Sequence, residues 1–475
     1  MDTKQKLPLK SKISYGLGAV GKDMVYMLSA SYVLYYFQDV LGVSAVAMGV
    51  ILLAARIFDA FNDPIMGVVV AKTKTRWGKF RPWLLIGTLT NAVVLFLMFS
   101  CPPTLDAGGL VAYAAVTYTM MDIPYWSMIP AFTEGGKERE GLTTLARSCA
   151  GVGSALITVA TVMAVQFLGN AFGGSNAKEI EILGFKWFSA IVAVLFIVFT
   201  ILTCVNVKEK STAEMKTVSV GQMFKALLRN DQALAIVLAI VLINSSIYIT
   251  SNLVIYFFKY DFGGTEWFSS YTLFNIFGGA MQILSMMVLY PVLRNAVKLS
   301  NTKIFYICLT MSMVGYAVLL VLAFLGMGNV FVLFIPGFLI FAASGLLNIL
   351  TTIFLANTVD YGELKNGSRD ESVIFSLQTF VVKLASGIAA FVASICLSIN
   401  KLQEGTEVSE ADKLVDWSLN VSASARTGLR LTMTVIPIVV LVIAILWFRK
   451  KYILTDEKVE EIAAQVKALH AGEEQ

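Results

Sequence analysis

The chain has 475 residues, 57% of them hydrophobic and only 15% charged, with a formal net charge of +5. A soluble protein of this length carries about 25% charged residues. The balance excludes an ordinary soluble domain and points to an all-α protein that crosses a lipid bilayer many times. The modest positive charge is explained by topology and calls for no nucleic-acid partner.

Apolar runs of about 20 residues, the length that spans a bilayer, recur along the whole sequence. About twelve are read, at 14–38, 44–71, 83–101, 108–132, 142–169, 184–206, 232–258, 267–293, 304–326, 329–356, 372–399 and 428–448. Basic residues cluster at Lys4–Lys12, at Lys72–Arg81, between Lys208 and Arg229, and at Arg449–Lys451. With twelve spans these fall on one side, which places both termini in the cytoplasm. The first span carries Lys22 and Asp23 and is too long for the apolar core of a cleaved signal, so it is read as a retained span. The expected division is 1–207 as a first six-helix bundle, 208–230 as a central cytoplasmic loop, 231–450 as a second bundle and 451–475 as a cytoplasmic tail. Two repeated bundles with a site near the midplane are a transporter layout. A single bundle pair needs no second copy to form that site, so a functional monomer is expected.

In the first span, Tyr15-Gly16-Leu17-Gly18-Ala19-Val20-Gly21-Lys22-Asp23 joins small residues, which permit close helix approach, to an intramembrane Lys–Asp pair. Asp23 is a candidate acceptor for sugar hydroxyls. The second span contains Arg56-Ile57-Phe58-Asp59-Ala60-Phe61-Asn62-Asp63-Pro64. Asp59 and Asp63 are four residues apart and Asn62 is three from Asp59, so all three project from one side of a helix. Carboxylates are expensive in lipid and mark an ion or substrate path. Crowded oxygen ligands suit a small hard cation, Na⁺ or Li⁺. A proton is an alternative that makes no use of Asn62. Arg56, three residues before Asp59, is read equally well as that carboxylate's structural partner.

The fourth span places Tyr118, Asp122 and Trp126 in one stripe, an aromatic wall beside a carboxylate that suits a sugar. Thr119 points to another side, where its hydroxyl can reach a cation. Arg147 lies in the fifth span. Lys383 is the clear intramembrane charge of the second half and needs an acidic partner; Asp59, Asp63 and Asp122 are the first-half candidates. Residues Glu134 to Glu140 and Asp360 to Glu371 are read as two charged cytoplasmic loops, either closing a gate or simply solvated. His470 is the single histidine, so no histidine proton relay is available. The five cysteines are scattered and read as core or interface residues. No nucleophile–base arrangement, phosphate-binding loop or Cys/His metal cluster is found, so neither an enzyme nor a bound cofactor is expected.

These stretches together (YGLGAVGKD, ARIFDAFNDPIMG, RWGKFRPWLLIGTLTN, YTMMDIPYWS, KERE, NTVDYGELK and QTFVVK) resemble the melibiose permeases, which are glycoside–pentoside–hexuronide:cation symporters of the major facilitator superfamily. The resemblance implies a cation site of Asp59, Asn62, Asp63 and Thr119. It implies sugar contacts from Lys22, Asp23, Tyr118, Asp122, Trp126, Arg147, Thr379, Val382 and Lys383. It implies a bacterial inner-membrane symporter for a galactoside such as melibiose, driven by Na⁺ or Li⁺. The chain departs from the pattern at Asn348, where those permeases place a tryptophan against the sugar, and at Asn357, where an aspartate is expected. Sugar identity is the property these departures bear on; another glycoside, such as a pentoside or glucuronide, is the alternative substrate. A sugar sensor without transport is the weaker alternative.

Overall fold

The computed structural model describes residues 8–73, 75–78, 81–102, 104–119, 136–207, 220–326, 328–367, 371–402 and 415–473. Among these residues the regular structure is helical, with no strand. In chain order the helices are α1 (Leu9–Tyr35), α2 (Ala45–Lys72), α3 (Arg81–Met98), α4 (Ala107–Thr119), α5 (Gly136–Ala171), α6 (Ala177–Asn206), α7 (Val220–Arg229), α8 (Asp231–Phe257), α9 (Trp267–Leu284), α10 (Asn301–Leu325), α11 (Phe334–Asn366), α12 (Glu371–Ile399), α13 (Ala423–Lys451) and α14 (Asp456–Glu473). Nine stretches among the described residues are long and apolar enough to cross a membrane, and Ala45–Phe58 and Ala107–Tyr118 are shorter apolar helices. Phe167, Val205, Leu325 and Ile399 are largely exposed on these helices. Helices are the form in which a lipid-embedded backbone satisfies its own hydrogen bonds, and their exposed apolar faces are what a bilayer covers.

The chain separates into two compact units, Met1–Thr217 with Gln403–Asp416, and Val218–Leu402 with Trp417–Gln475. In the first, α1 packs on α5 and α6, α2 on α4, α3 on α4 and α6, and α5 on α6. In the second, α8 packs on α12 and α13, α9 on α11, α10 on α11 and α13, and α12 on α13. These six helix pairs of the two units correspond. Local details repeat as well. The helices α1 and α8 each run into a π-helical turn, Tyr36–Val40 and Phe258–Phe262. Each turn holds an aspartate, Asp39 or Asp261, followed three residues later by a glycine at positive φ, Gly42 at 80° and Gly264 at 90°. At the start of α3 in the first unit, Arg81 donates to the carbonyl of Val207, just past α6. In the second unit Arg294 pairs with Asp456, just past α13, at 2.6 Å. Such internal repeats are characteristic of transporters, although sequence comparison of the two halves alone detects them only faintly.

Two segments read as charged loops are corrected. Lys137 to Glu140 form the first turn of α5, and Asp360, Glu363 and Lys365 lie on the last turns of α11. Lys, Glu, Arg and Leu are good helix formers. The 33 residues of α11 run about 50 Å, well beyond a hydrocarbon core of about 30 Å, so charge there signals emergence into water, not a break in the helix. Glu134 lies outside the described residues. On α11, Lys365 and Tyr361 both bond Asp231 at the start of α8, at 2.5 and 3.1 Å. The segment expected as a central loop contains the short α7, and the tail forms α14, which packs on α11.

Arg430 clamps the π turn of the second unit. Its Nε and Nη2 donate to Asp261 Oδ2 and Oδ1 at 2.7 and 2.6 Å. The Asp261 side chain is 2% exposed. Removing one partner of such a pair strands a buried charge, whereas removing both does not. Arg430→Met is therefore expected to destabilise the detergent-solubilised protein by about 3–5 kcal/mol, and the double variant with Asp261→Leu by clearly less. Thermal unfolding of the two variants checks this order.

Candidate functional site

The described part of the site is built on α1. Gly153 of α5 sits against the α1 backbone so closely that a Cβ there would lie 2.3 Å from the Val20 carbonyl oxygen. This contact brings the next residue, Ser154, to Asp23. Ser154 Oγ donates to Asp23 Oδ2 at 3.1 Å, while Lys22 Nζ meets Asp23 Oδ1 at 3.2 Å. Both oxygens of the carboxylate are engaged, and the Lys22 and Asp23 side chains keep 19% and 17% of their surface open. Gly21 faces the α6 backbone at Phe196, so this glycine, which the sequence marks for close approach, does serve an α1 contact.

One turn further along α1, Tyr26 presents its ring to two cations. Lys22 Nζ lies 5.0 Å from the ring centre and the Arg56 guanidinium carbon, from α2, lies 5.4 Å from it. The same guanidinium lies 5.7 Å from the ring centre of Tyr118 on α4. Arg56 and Tyr118 are each 6% exposed. A buried arginine loses its hydration, and two aromatic faces return part of that stabilisation. Arg56 thus joins α1, α2 and α4, a role that its spacing from Asp59 alone does not reveal.

Asp59, Asn62 and Asp63 all lie on α2, which continues as helix through Pro64 to Lys72; their side chains are outside the described residues, as are those of Thr119, at the end of α4, Arg147 on α5 and Thr379 on α12. Asp122 and Trp126 fall wholly outside the described residues. In the second unit, Asn348 is exposed on α11, its carbonyl accepting from the Thr352 hydroxyl at 3.0 Å. Val382 and Lys383 are half-buried on α12. Among the described residues no three His, Cys, Asp or Glu side chains gather as a metal site. Cys101, Cys308 and Cys396 are buried, and Cys149 and Cys204 half-buried, all five as free thiols, in keeping with core and interface roles.

Sequence reasoning missed Tyr26 and Ser154. Tyr26 stands four residues from Lys22 and three from Asp23, a spacing that shares their helix face. Ser154 stands seven from Arg147, again on one face. Neither residue type is unusual in an apolar helix, so only the packing reveals them.

The cluster combines ammonium, guanidinium and carboxylate groups with two aromatic faces, which suits a polyhydroxylated ligand with one apolar face. The family model for MFS/sugar transport proteins matches residues 14–456. The chain belongs to this family of sugar transporters. It is similar to the raffinose carrier protein of Pediococcus pentosaceus, with 28% identity over 96% of this chain and 71% of that relative. It is similar to the isoprimeverose transporter of Lactiplantibacillus pentosus, with 28% identity over 83% of this chain and 81% of the relative, and to a lactose permease of Lactobacillus delbrueckii subsp. bulgaricus, with 27% identity over 97% and 73%. Among solved structures, the nucleoside transporter NupG aligns with a TM-score of 0.59 at 13% identity, over 92% of this chain and 99% of its own. A POT family transporter aligns with a TM-score of 0.60, also at 13% identity, over 93% and 96%. These two likenesses concern the fold alone. The protein is therefore a multi-pass transporter of the bacterial inner membrane and not an enzyme.

The bond from Ser154 holds one oxygen of Asp23 in place. A hydrogen bond to a charged group is worth about 1.5 kcal/mol or somewhat more, so Ser154→Ala is expected to weaken binding of the transported sugar by about tenfold. Ser154→Thr, which keeps the hydroxyl, is expected to restore most of it. Competition binding with the purified variants measures both.

Proposed function

We propose that this transporter imports a glycoside together with Na⁺ or Li⁺, with melibiose as the first substrate to test. The observation that carries the reading is the position of Arg56. It stands three residues before Asp59 on α2 and packs on Tyr26 beside the Lys22–Asp23 pair. The turn of α2 that carries Asp59 therefore follows directly on the residue that packs beside the Lys22–Asp23 pair. Asp59, Asn62, Asp63 and Thr119 are assigned to the cation. Lys22, Asp23, Tyr118, Asp122, Trp126, Arg147, Asn348, Thr379, Val382 and Lys383 are assigned to the sugar. Relatives named as carriers of raffinose, lactose and isoprimeverose support a glycoside substrate. A relative from Bacillus subtilis named only as a symporter, 29% identical over 97% of this chain, supports ion coupling. Twelve spans with both termini in the cytoplasm are part of the proposal and rest on the distribution of basic residues.

The mechanism follows from charge. Without the cation, Asp59 and Asp63 repel one another and draw on Arg56. Cation binding neutralises them and relaxes that pull, so the aromatic and carboxylate groups beside Arg56 settle into a sugar-binding arrangement. The cooperativity is reciprocal by linkage. The loaded transporter then exchanges outward for inward access. One charge crossing 100 mV yields about 2.3 kcal/mol and a tenfold Na⁺ gradient about 1.4 kcal/mol. Together, about 3.7 kcal/mol supports accumulation of several hundredfold.

A second reading is favoured by one observation. Lys22 keeps 19% of its side-chain surface open beside the Tyr26 ring, where it would meet the carboxylate of a glucuronide. Uptake into proteoliposomes under imposed Na⁺, Li⁺ or H⁺ gradients, with melibiose, raffinose, lactose and a glucuronide as labelled sugars, separates these readings. Melibiose accumulation driven by Na⁺ or Li⁺ and lost in Asp59→Cys is the expected result. Accumulation of the glucuronide alone would replace the substrate, and accumulation insensitive to Asp59→Cys would overturn the cation site.

A further inference from the structure

We infer that Tyr26 is the positioning residue that transmits cation binding on α2 to the sugar-binding pair on α1. The inference rests on the symport reading above and adds a residue that this reading does not need. Three observations carry it. The ring of Tyr26 is shared, with Lys22 Nζ at 5.0 Å and the Arg56 guanidinium at 5.4 Å. Lys22 in turn holds Asp23 Oδ1 at 3.2 Å. Tyr26 is half-buried, while Arg56 is 6% exposed, so the arginine is the more enclosed of the two.

The physics of the arrangement makes it responsive. A ring face is a region of negative potential, and each cation it attracts is stabilised by an amount that grows as water is excluded. Two cations sharing one ring repel each other through it. Any pull on Arg56 therefore alters the balance at Lys22. Arg56 lies one turn before Asp59 on α2. When Asp59 and Asp63 carry their full negative charge, Arg56 is drawn along α2 toward them and leaves Tyr26 to Lys22. When a cation neutralises the carboxylates, Arg56 returns to the Tyr26 and Tyr118 rings. Lys22 then gives up part of its ring contact and turns to Asp23, whose second oxygen is fixed by Ser154. The carboxylate is ordered for sugar hydroxyls as a consequence of an ion bound on another helix. The aromatic face, not the phenol hydroxyl, is the working part.

Equilibrium binding of melibiose to purified protein, with and without saturating Na⁺ or Li⁺, tests this in the wild type, Tyr26→Phe and Tyr26→Leu. The readout is the ratio of the two affinities, which a purely structural role would leave unchanged while shifting both. Na⁺ is expected to tighten melibiose binding about tenfold in the wild type. Tyr26→Phe is expected to keep most of that factor, and Tyr26→Leu to bring it within about twofold of unity while Na⁺ binding itself persists. Tyr26→Met is a second ring-free variant should the leucine protein fail to fold. A wild-type factor retained in both ring-free variants, or lost in Tyr26→Phe, overturns the role of Tyr26 and leaves symport standing. No effect of either Na⁺ or Li⁺ in the wild type overturns the symport reading and this inference with it.

Discussion

A charge inside hydrocarbon has no water to turn to, and this single constraint organises what is seen in the protein. Each described intramembrane charge at the candidate site is met by the protein. Lys22 is met by Asp23 and a tyrosine ring, Asp23 by Lys22 and Ser154, and Arg56 by two tyrosine rings. Such arrangements are expensive to keep purely for stability, since well-packed apolar residues do as well or better. Their presence in the middle of apolar helices supports the proposal that this cluster is the working part of the transporter.

The same constraint acts on the framework differently. Helices that cross lipid must pack closely without a hydrophobic driving force between them, so small residues and a few strong polar clasps set their positions. Gly153 brings α5 onto α1 and so delivers Ser154 to Asp23. Arg430 fastens the π turn after α8 through Asp261. The six-helix packing pattern recurs in the second unit, with its π turn, aspartate, glycine and arginine at corresponding places. The Lys22–Asp23 pair does not recur: α8 carries no counterpart of it within its apolar stretch.

Much of this was legible in the sequence, for a physical reason. Bilayer thickness imposes a length on every span, so spans announce themselves, and a carboxylate or ammonium within one stands out against its neighbours. Lys22 and Asp23 were found in that way, Tyr118 by its four-residue spacing to Asp122, and the three prove to lie in one described cluster with Arg56. Tyr26 and Ser154 were not found, because a tyrosine or serine in an apolar helix is ordinary until another helix brings a charge to it. The charged ends of α5 and α11 were misread as loops because charge reports water, and water begins before a long helix ends. Asn348, singled out as a departure from a family pattern, lies exposed on α11.

The central claim is that an ion on α2 and a sugar at α1 are bound as one event. Equilibrium dialysis with radioactive Na⁺ and labelled melibiose on the same purified protein tests it most directly, each ligand being titrated with and without saturating amounts of the other. The account predicts that Na⁺ tightens melibiose and melibiose tightens Na⁺ by the same factor, about five- to a hundredfold. Both ligands binding with affinities indifferent to each other would contradict it.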